Sequence, residues 1–179
     1  MTISSARLMY RPPEPEDLAR LFEIYSDPQT QLFNPAGPMR TANQAEALLS
    51  QWIAHWNQHG FGWWVIAEKA APDHPIGFGG VSHHDYLGEQ RLNVGYRFAR
   101  EAWGKGYVTE LGECALRHAF SWPGIERIWA FVRPDHAASI RVLEKIGMQR
   151  CGVLDDVPGQ PASLLFTVEK AGLEQSPQR

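Results

Sequence analysis

The sequence predicts one α/β (mixed α+β) unit, and three observations support this fold class. Apolar side chains recur at helical spacing over 45–56, and residues 125–132 are apolar on both faces of an extended chain, as in a central strand. Between these segments, strand-like and helix-like stretches alternate, separated by Gly- and Pro-rich turns. With 179 residues, no internal repeat and no linker, we expect one domain over 1–172 and a tail over 173–179.

The first part of the chain is predicted to fold as strand, helix, loop and helix. A strand over 7–11 ends at two prolines, and a helix then begins near Pro15 and stops at Asp27. Residues 29–40 contain two prolines and a glycine and are predicted to form a loop. A capping box, in which Thr41 and Gln44 satisfy the first backbone N–H groups, opens a second helix that Gly60 closes.

The middle of the chain is predicted to supply three strands. Residues 61–68 and 75–82 are separated by a turn, and a second turn over 85–90 leads into a strand over 91–98. Alternating residues of a strand face opposite sides of the sheet. One of Trp63 and Trp64 should therefore face a ligand pocket.

The last part begins with a helix over 104–120 that Pro123 and Gly124 end. The central strand 125–132 and a helix over 137–146 follow, and strands over 148–154 and 163–169 complete the unit.

Composition and charge narrow the class of protein. With 44% hydrophobic and 21% charged residues, no apolar signal segment and no apolar run of membrane-spanning length, we expect a cytoplasmic protein that binds no membrane. The net charge of −3 argues against a nucleic-acid partner. Residues 91–150 nevertheless carry a net charge of +4 and the remainder −7. This asymmetry fits either an anionic ligand or an uneven solvated surface.

The pentapeptide WGKGY at 103–107 is the strongest candidate for a ligand site. Two glycines leading directly into a helix leave backbone N–H groups bare at the positive end of the helix dipole, a geometry that binds anions. Gly104 and Gly106 allow close approach of a diphosphate, and Lys105 and Arg100 add positive charge. A simple turn into a helix would use the same glycines.

Other site types fit the sequence less well. The motif GFGG at 77–80 lacks the third glycine of a dinucleotide site, and no P-loop occurs. His55 and His59 are four residues apart on a helix, but Trp56 occupies the place of the zincin glutamate, so no metal site is expected. Cys114 and Cys151 have neither metal-ligand spacing nor the setting of an acyl carrier.

Four segments together resemble the GNAT superfamily of N-acetyltransferases, in particular its ribosomal-protein-alanine N-acetyltransferase branch. They are RLMYRP with the later EDL (7–12 and 16–18), VGY (94–96), WGKGYVTE (103–110) and SIRVLEKIGM (139–148). The third and fourth segments are specific, and the four span nearly the whole chain.

This resemblance implies a mixed, mostly antiparallel sheet of about seven strands, flanked by about four helices. Strands 91–98 and 125–132 would form a splayed parallel pair with acetyl-CoA in the opening. The residues implied in cofactor binding are Phe98, Ala99, Arg100, Gly104, Lys105, Gly106, Tyr107, Val108, His136 and Ser139. The implied partners are acetyl-CoA and an amine acceptor, with no metal and with the protein a monomer or homodimer.

The sequence departs from the family pattern at several functional positions. Glu101 replaces the usual Gln or Arg of the phosphate arm, His136 the usual asparagine, and Asn93 a frequent general base. The tyrosine acid of many members falls at Leu143, which leaves Ser139 as the candidate acid.

The candidate general bases are His83 and His84, with His136 as a third. Because His83 and His84 are adjacent in a strand, at most one of them points inward. Asp85 or Glu89 could relay a proton through water. Specificity is assigned to the loop 29–40 and the segment 155–162.

The predicted activity is acetyl transfer from acetyl-CoA to a primary amine by direct attack. The acceptor is left open between a protein N-terminus, an amino-sugar and another small amine. Two alternatives stay open: a non-catalytic acyl-CoA-binding or sensing module, and an α/β protein whose glycines only form a turn.

Overall fold

The computed structural model describes residues 3–174. Within them, eight strands form one mixed sheet, and five helices flank it. The strands are β1 (Ile3–Ser4), β2 (Leu8–Arg11), β3 (Trp63–Glu68), β4 (Pro75–Tyr86), β5 (Glu89–Phe98), β6 (Arg127–Val132), β7 (Gln149–Leu154) and β8 (Ser163–Glu169). The helices are α1 (Leu18–Ser26), α2 (Ala42–His59), α3 (Tyr107–Phe120), α4 (Ala137–Lys145) and α5 (Lys170–Glu174).

The strand order is β1-β2-β3-β4-β5-β6-β8-β7, and every neighbouring pair except β5 and β6 is antiparallel. The parallel pair shares one register position, Asn93 opposite Trp129. Helix α3 makes the crossover between these two strands, as a parallel connection requires. The predicted fold class, including the splayed parallel pair, is confirmed.

Helix α2 begins and ends where the sequence predicts. Thr41 and Gln44 form the capping box, and Gly60 ends the helix in the left-handed conformation with φ of 75°. One turn at Pro15–Asp17 is a 3-10 helix, so α1 starts three residues later than predicted.

The hairpin between β4 and β5 corrects the predicted turn over 85–90. Strand β4 continues to Tyr86, and the turn consists of Leu87 and Gly88 with φ of 53° and 94°. Two positive φ values match the turn that right-handed strand twist favours. Polar residues such as Asp85 and Glu89 suggested a loop, although they lie on strands whose side chains reach solvent.

Three further segments differ from their predicted states. Strand β1, only two residues long, was not predicted because so short a segment carries no periodic signal. Pro28–Gln31, which overlaps the start of the predicted loop 29–40, forms a 3-10 turn in which the hydroxyl of Thr30 donates to the carbonyl of Ile24 at 2.6 Å. The predicted tail begins inside α5, and its residues 175–179 lie outside the described part of the chain.

Helix α3 begins at Tyr107, three residues after the predicted start. Gly104 and Gly106 have φ of 74° and 80°. These values lie outside the right-handed helical region, and glycine adopts them without steric cost. The two glycines therefore form a loop before the helix and not its first turn.

Two apolar clusters pack on opposite faces of the sheet. The first lies under α3 and α4 and includes Val94, Phe98 and Leu111. The second lies under α1 and α2 and includes Phe78, with Trp52 and Trp63 packed against it. None of the helices within 3–174 is both long and apolar enough to cross a membrane.

Glu110 joins the first turn of α3 to the N-terminal strands. Its carboxylate accepts hydrogen bonds from the hydroxyl of Ser5 (2.6 Å), from Nε and the backbone N–H of Arg7 (both 2.8 Å) and from the N–H of Leu8 (3.2 Å). Burial alone would raise the pKa of Glu110, but the bonds from Ser5 and Arg7 outweigh it and lower the pKa below its ordinary value. The ionised form is therefore the one that the fold stabilises.

Substitution Glu110→Gln is expected to reduce the free energy of unfolding at pH 7 by about 2 kcal/mol, since hydrogen bonds to a charged group are lost. A depressed pKa contributes stability above the unfolded pKa of about 4.3, and this contribution is lost as pH falls through the lowered pKa of the folded state. Urea unfolding should therefore give a large difference from wild type at pH 7, and this difference should shrink as the pH is lowered through the acid range. Glu113→Gln, on the exposed side of α3, is the control; an equal loss in both variants would contradict the assignment.

Candidate active site

A cleft of about 690 Å³ opens where β5 and β6 separate. Both strands line it from their shared register position onward, at 93–97 and 130–133, and the loop between α1 and α2 covers another side. Ligands of α/β proteins bind beyond the carboxyl ends of parallel strands, where helix N-termini also lie. This cleft is therefore the candidate active site.

The backbone of β5 presents hydrogen-bonding groups toward the opening. The N–H of Ala99 donates to the carbonyl of Ile76 at 2.8 Å. In an antiparallel pair every second residue is hydrogen-bonded to the neighbouring strand, so the backbone groups of Asn93, Gly95 and Arg97 also bond to β4. The alternate residues Val94, Tyr96 and Phe98 direct their backbone groups toward β6. The ladder to β6 has a single register position, at Asn93, so the two strands diverge beyond it and the N–H of Tyr96 faces the opening.

Tyr96 and Ser139 form a hydroxyl pair on the wall of the cleft beneath α4. Their oxygens lie 2.5 Å apart, and Ser139 is 9% exposed at the start of that helix. Burial raises the pKa of Tyr96 to about 12, although the bond to Ser139 lowers it slightly. The tyrosine hydroxyl thus stays protonated at neutral pH.

Ser139 was selected from the sequence as a candidate acid, whereas Tyr96 was not. The motif VGY at 94–96 was the available signal, because alternation in a strand adjacent to α4 directs Tyr96 to the same side as Ser139. Leu143, one turn further along α4, is buried and supplies no proton.

His83 and His84 both line the cleft, so the expectation that at most one would point inward is wrong. They reach it from opposite faces of β4, as alternation requires. The ring of His83 packs beside His59 (4.5 Å between centroids) and Phe61 (5.5 Å). His84 packs against Phe131 at 5.1 Å. In each histidine, desolvation lowers the pKa below 6.5. Both rings are neutral at pH 7 and can accept a proton.

Neither histidine touches the Tyr96–Ser139 pair along the strand. Gly79 of β4 is the register partner of Tyr96, and His83 is four residues further along. At about 3.3 Å per residue, that separation is roughly 13 Å.

His136, the third candidate, lies nearer to the hydroxyl pair because it precedes α4 by one residue, three before Ser139. Its ring stacks on Phe33 of the covering loop, with centroids 4.0 Å apart and planes inclined by 10°. Desolvation, followed by the positive charge of Arg97, lowers the pKa of His136. The stacking fixes the loop over the start of α4.

The glycine loop before α3 is exposed and positively charged. Nothing lies within 4 Å of a methyl group built on Gly104, and no acceptor among the described residues bonds the N–H groups of Tyr107, Val108 or Thr109. These are the unpaired donors of a helix N-terminus. Lys105 lies at the exposed tip of the loop.

Arg7, which sequence reasoning did not select, fixes the shape of this loop. Its Nη1 donates to the carbonyl of Lys105 at 2.7 Å, and its guanidinium lies over the ring of Tyr107 at 4.5 Å. Tyr107 is itself buried and donates to Glu68 at 2.9 Å. No local pattern in the sequence links Arg7 to a loop almost one hundred residues away.

Arg100, proposed from the sequence as a charge for an anion, is engaged elsewhere. Its Nε donates to Asp27 at 2.6 Å. Glu101, at the position of the usual phosphate arm, binds Arg20. Because Arg7 is likewise paired with Glu110, the unpaired positive charge at the glycine loop comes from Lys105 and the helix dipole.

Trp63 lines the cleft, as one of the two adjacent tryptophans was predicted to do, and it lies on the face of β5 opposite Tyr96. A methyl group on Gly95 would meet its Cζ2 at 2.7 Å, so glycine is required at that position. Trp52 packs beside it at 5.1 Å, which gives this side of the cleft an aromatic wall.

The described residues include no group of three His, Cys, Asp or Glu side chains arranged to hold a metal ion. His55 has both ring nitrogens engaged, Nδ1 with the carbonyl of Phe61 (2.8 Å) and Nε2 with the N–H of His83 (3.0 Å). Its lone pair is thus used within the protein.

Comparisons with known proteins agree with this geometry. A family model described as an acetyltransferase (GNAT) domain matches residues 7–149. Uncharacterized N-acetyltransferase YnaD of Bacillus subtilis (strain 168) is 30% identical over 152 residues, which cover 85% of this chain and 85% of that protein.

Solved structures share the fold at low identity. RimJ of Mycobacterium smegmatis, in complex with CoA-disulfide, has a TM-score of 0.79 at 23% identity and covers 98% of this chain and 90% of its own. The ribosomal-protein-S5-alanine acetyltransferase of Vibrio fischeri has a TM-score of 0.73 at 18% identity, covering 94% and 96%. The matched family model, the YnaD relative and the splayed sheet confirm the sequence-based assignment: this chain belongs to the GNAT family of acetyltransferase enzymes.

Proposed function

We propose that this enzyme transfers the acetyl group of acetyl-CoA to a primary amine by direct attack, with residues 1–172 acting as a single domain. The observation that carries the proposal is the parallel pair β5–β6, which separates after one register position into a cleft that both strands line. Neither cysteine lines this cleft, and burial raises the pKa of the Cys114 thiol. A covalent acyl-enzyme therefore has no suitable nucleophilic thiol there.

The glycine loop fits the diphosphate of CoA. Open space at Gly104, unbonded N–H groups at 107–109 and the nearby Lys105 together suit an anion at a helix N-terminus. The similar RimJ fold was solved with a CoA derivative, which supports the same ligand here. The N–H of Tyr96, which faces the opening beyond the register position at Asn93, is suited to hydrogen-bond the acyl carbonyl there.

The amine must lose a proton before it attacks. A lysine-like amine of pKa about 10.4 is only ~0.04% neutral at pH 7, whereas an α-amine of pKa near 8 is about 10% neutral. His136 is the best situated of the three candidate bases, since it flanks α4 three residues before Ser139. His83 and His84 would act through intervening water.

Acetyl-CoA supplies an activated thioester, and its thiolate leaves as the amide bond forms. The hydroxyl pair Tyr96–Ser139 is suited to protonate that leaving sulfur, because Tyr96 keeps its proton throughout the neutral range. General acid catalysis of this kind contributes about 10²–10⁴ in rate.

The proposal is tested by incubating the protein with acetyl-CoA and a panel of primary amines, and following free thiol and acetylated product together. Stoichiometric formation of both is expected, and CoA should raise the melting temperature. Binding of CoA without product from any amine would favour the non-catalytic module. Neither binding nor turnover would favour a chain whose glycines only form a turn.

A further inference from the structure

Arg97 lies in the wall of the cleft without an anionic partner. Its Nη1 donates to the backbone carbonyl of Thr30, and its guanidinium carbon lies 5.7 Å from the centre of the Tyr25 ring. No carboxylate in the described chain comes within ion-pair distance of Arg97, and its Nε is buried with no hydrogen-bond partner. A partly buried guanidinium without an anionic partner destabilises the protein, and an anionic ligand bound beside it would remove this cost in free energy.

The other arginine that lines the cleft is already satisfied. Arg133 donates to the carbonyl of Pro161 at 2.7 Å and lies 3.8 Å from Asp156. Asp156 also accepts a hydrogen bond from Ser163 at 2.8 Å. Because Asp156 is paired with Arg133 and Ser163, its carboxylate is not free for a cationic substrate. No other acidic residue is among the described residues that line the cleft.

Arg97 belongs to the face of β5 that is opposite the Tyr96–Ser139 pair. Gly95, two residues away on the same face, is covered by Trp63, and Phe78 is the register partner of Arg97 on β4. Trp52 packs against both Trp63 (5.1 Å) and Phe78 (5.3 Å). The guanidinium therefore lies at the margin of an aromatic surface, about 7 Å along the strand from Gly95.

From this juxtaposition we propose that the acceptor is a small amino acid with an apolar or aromatic side chain. Arg97 binds its carboxylate, the aromatic wall of Trp52 and Trp63 receives its side chain, and its α-amine faces the opening of β5. The inference rests on the acetyl transfer proposed above. It specifies a substrate in which the amine and the carboxylate are close together in one molecule.

The charges in the cleft disfavour the other acceptor classes. A polyamine carries several positive charges, which Arg97 repels and the paired Asp156 does not compensate. A simple amino-sugar has no carboxylate to pair with Arg97. A protein N-terminus has no carboxylate beside its α-amine, so Arg97 would remain unpaired on binding.

The test compares L-phenylalanine with phenethylamine, which differ by the carboxylate. We expect kcat/KM to be about 10- to 100-fold higher for the amino acid, the range of one charge-assisted contact. Arg97→Gln should reduce this ratio to near one, mainly through KM of the amino acid. Arg97→Lys should restore part of the ratio, because the positive charge is kept.

Arg127→Gln is the matched control, since it removes an arginine that pairs with Glu169 outside the cleft and should leave the substrate ratio unchanged. A purely structural role of Arg97 beside Thr30 would lower the melting temperature and impair both substrates equally. Acetylation of amines with a ratio near one in the wild type would overturn this inference alone. Absence of both product and a CoA-induced thermal shift would instead overturn the proposed acetyl transfer.

Discussion

Substitution Gly106→Asp is expected to weaken CoA binding by at least about 100-fold. Gly106 has φ of 80° and precedes the first helical residue, so any side chain there is strained. An added carboxylate would lie beside the unbonded N–H groups of Tyr107, Val108 and Thr109, where it would both repel a diphosphate and compete for its donors. The charge effect adds to the strain.

The measurement is the thermal shift produced by CoA, with each variant compared with its own ligand-free form. At 100 times its Kd, a ligand stabilises the wild type by about 2.7 kcal/mol, and a 100-fold loss of affinity should reduce this to about 0.4 kcal/mol or less. Gly124→Asp is a matched control, because Gly124 has φ of 79° and open space around it but lies beyond the other end of α3. Equal shifts in both variants would remove the glycine loop from the site.

Substitution Tyr96→Phe is expected to lower kcat by about 100-fold while leaving the affinity for CoA unchanged. The variant keeps the aromatic ring and removes the hydroxyl that lies 2.5 Å from Ser139, so the loss reflects proton donation and not packing. Ser139→Ala should have a smaller effect, since it leaves the tyrosine proton in place. The double variant should be no worse than Tyr96→Phe, because the two groups act as one unit.

The control for this series is Tyr10→Phe. The hydroxyl of Tyr10 also pairs with a serine, Ser5 at 2.7 Å, but this pair does not line the cleft. Its kcat should match the wild type.

The pH dependence provides a second check on Tyr96. The pKa of about 12 leaves its hydroxyl protonated below pH 11, so wild-type kcat should have no basic limb between pH 7 and 10. A loss of activity near pH 8 that Tyr96→Phe abolishes would contradict this assignment.

Local patterns were sufficient wherever one segment determines its own state. The capping box at Thr41 and Gln44, the left-handed Gly60 and the apolar strand 127–132 were recognisable because their determinants lie within a few residues. The same reasoning was wrong at the end of β4, where polar residues pair in a hairpin that reaches solvent. It also placed the start of α3 at Gly104, since helical spacing does not register the φ of a glycine.

The sequence by itself determined the family, the order of the elements and the glycine loop, because a motif such as WGKGY specifies a backbone shape within a few residues. Only the tertiary structure decided which side chains meet. It brought Tyr96 to Ser139 and Arg7 to Lys105, paired Arg100 with Asp27, and left Arg97 without a carboxylate. These contacts join residues 43 to 98 positions apart, and the charge balance at each depends on strand register and helix packing, which no local pattern encodes.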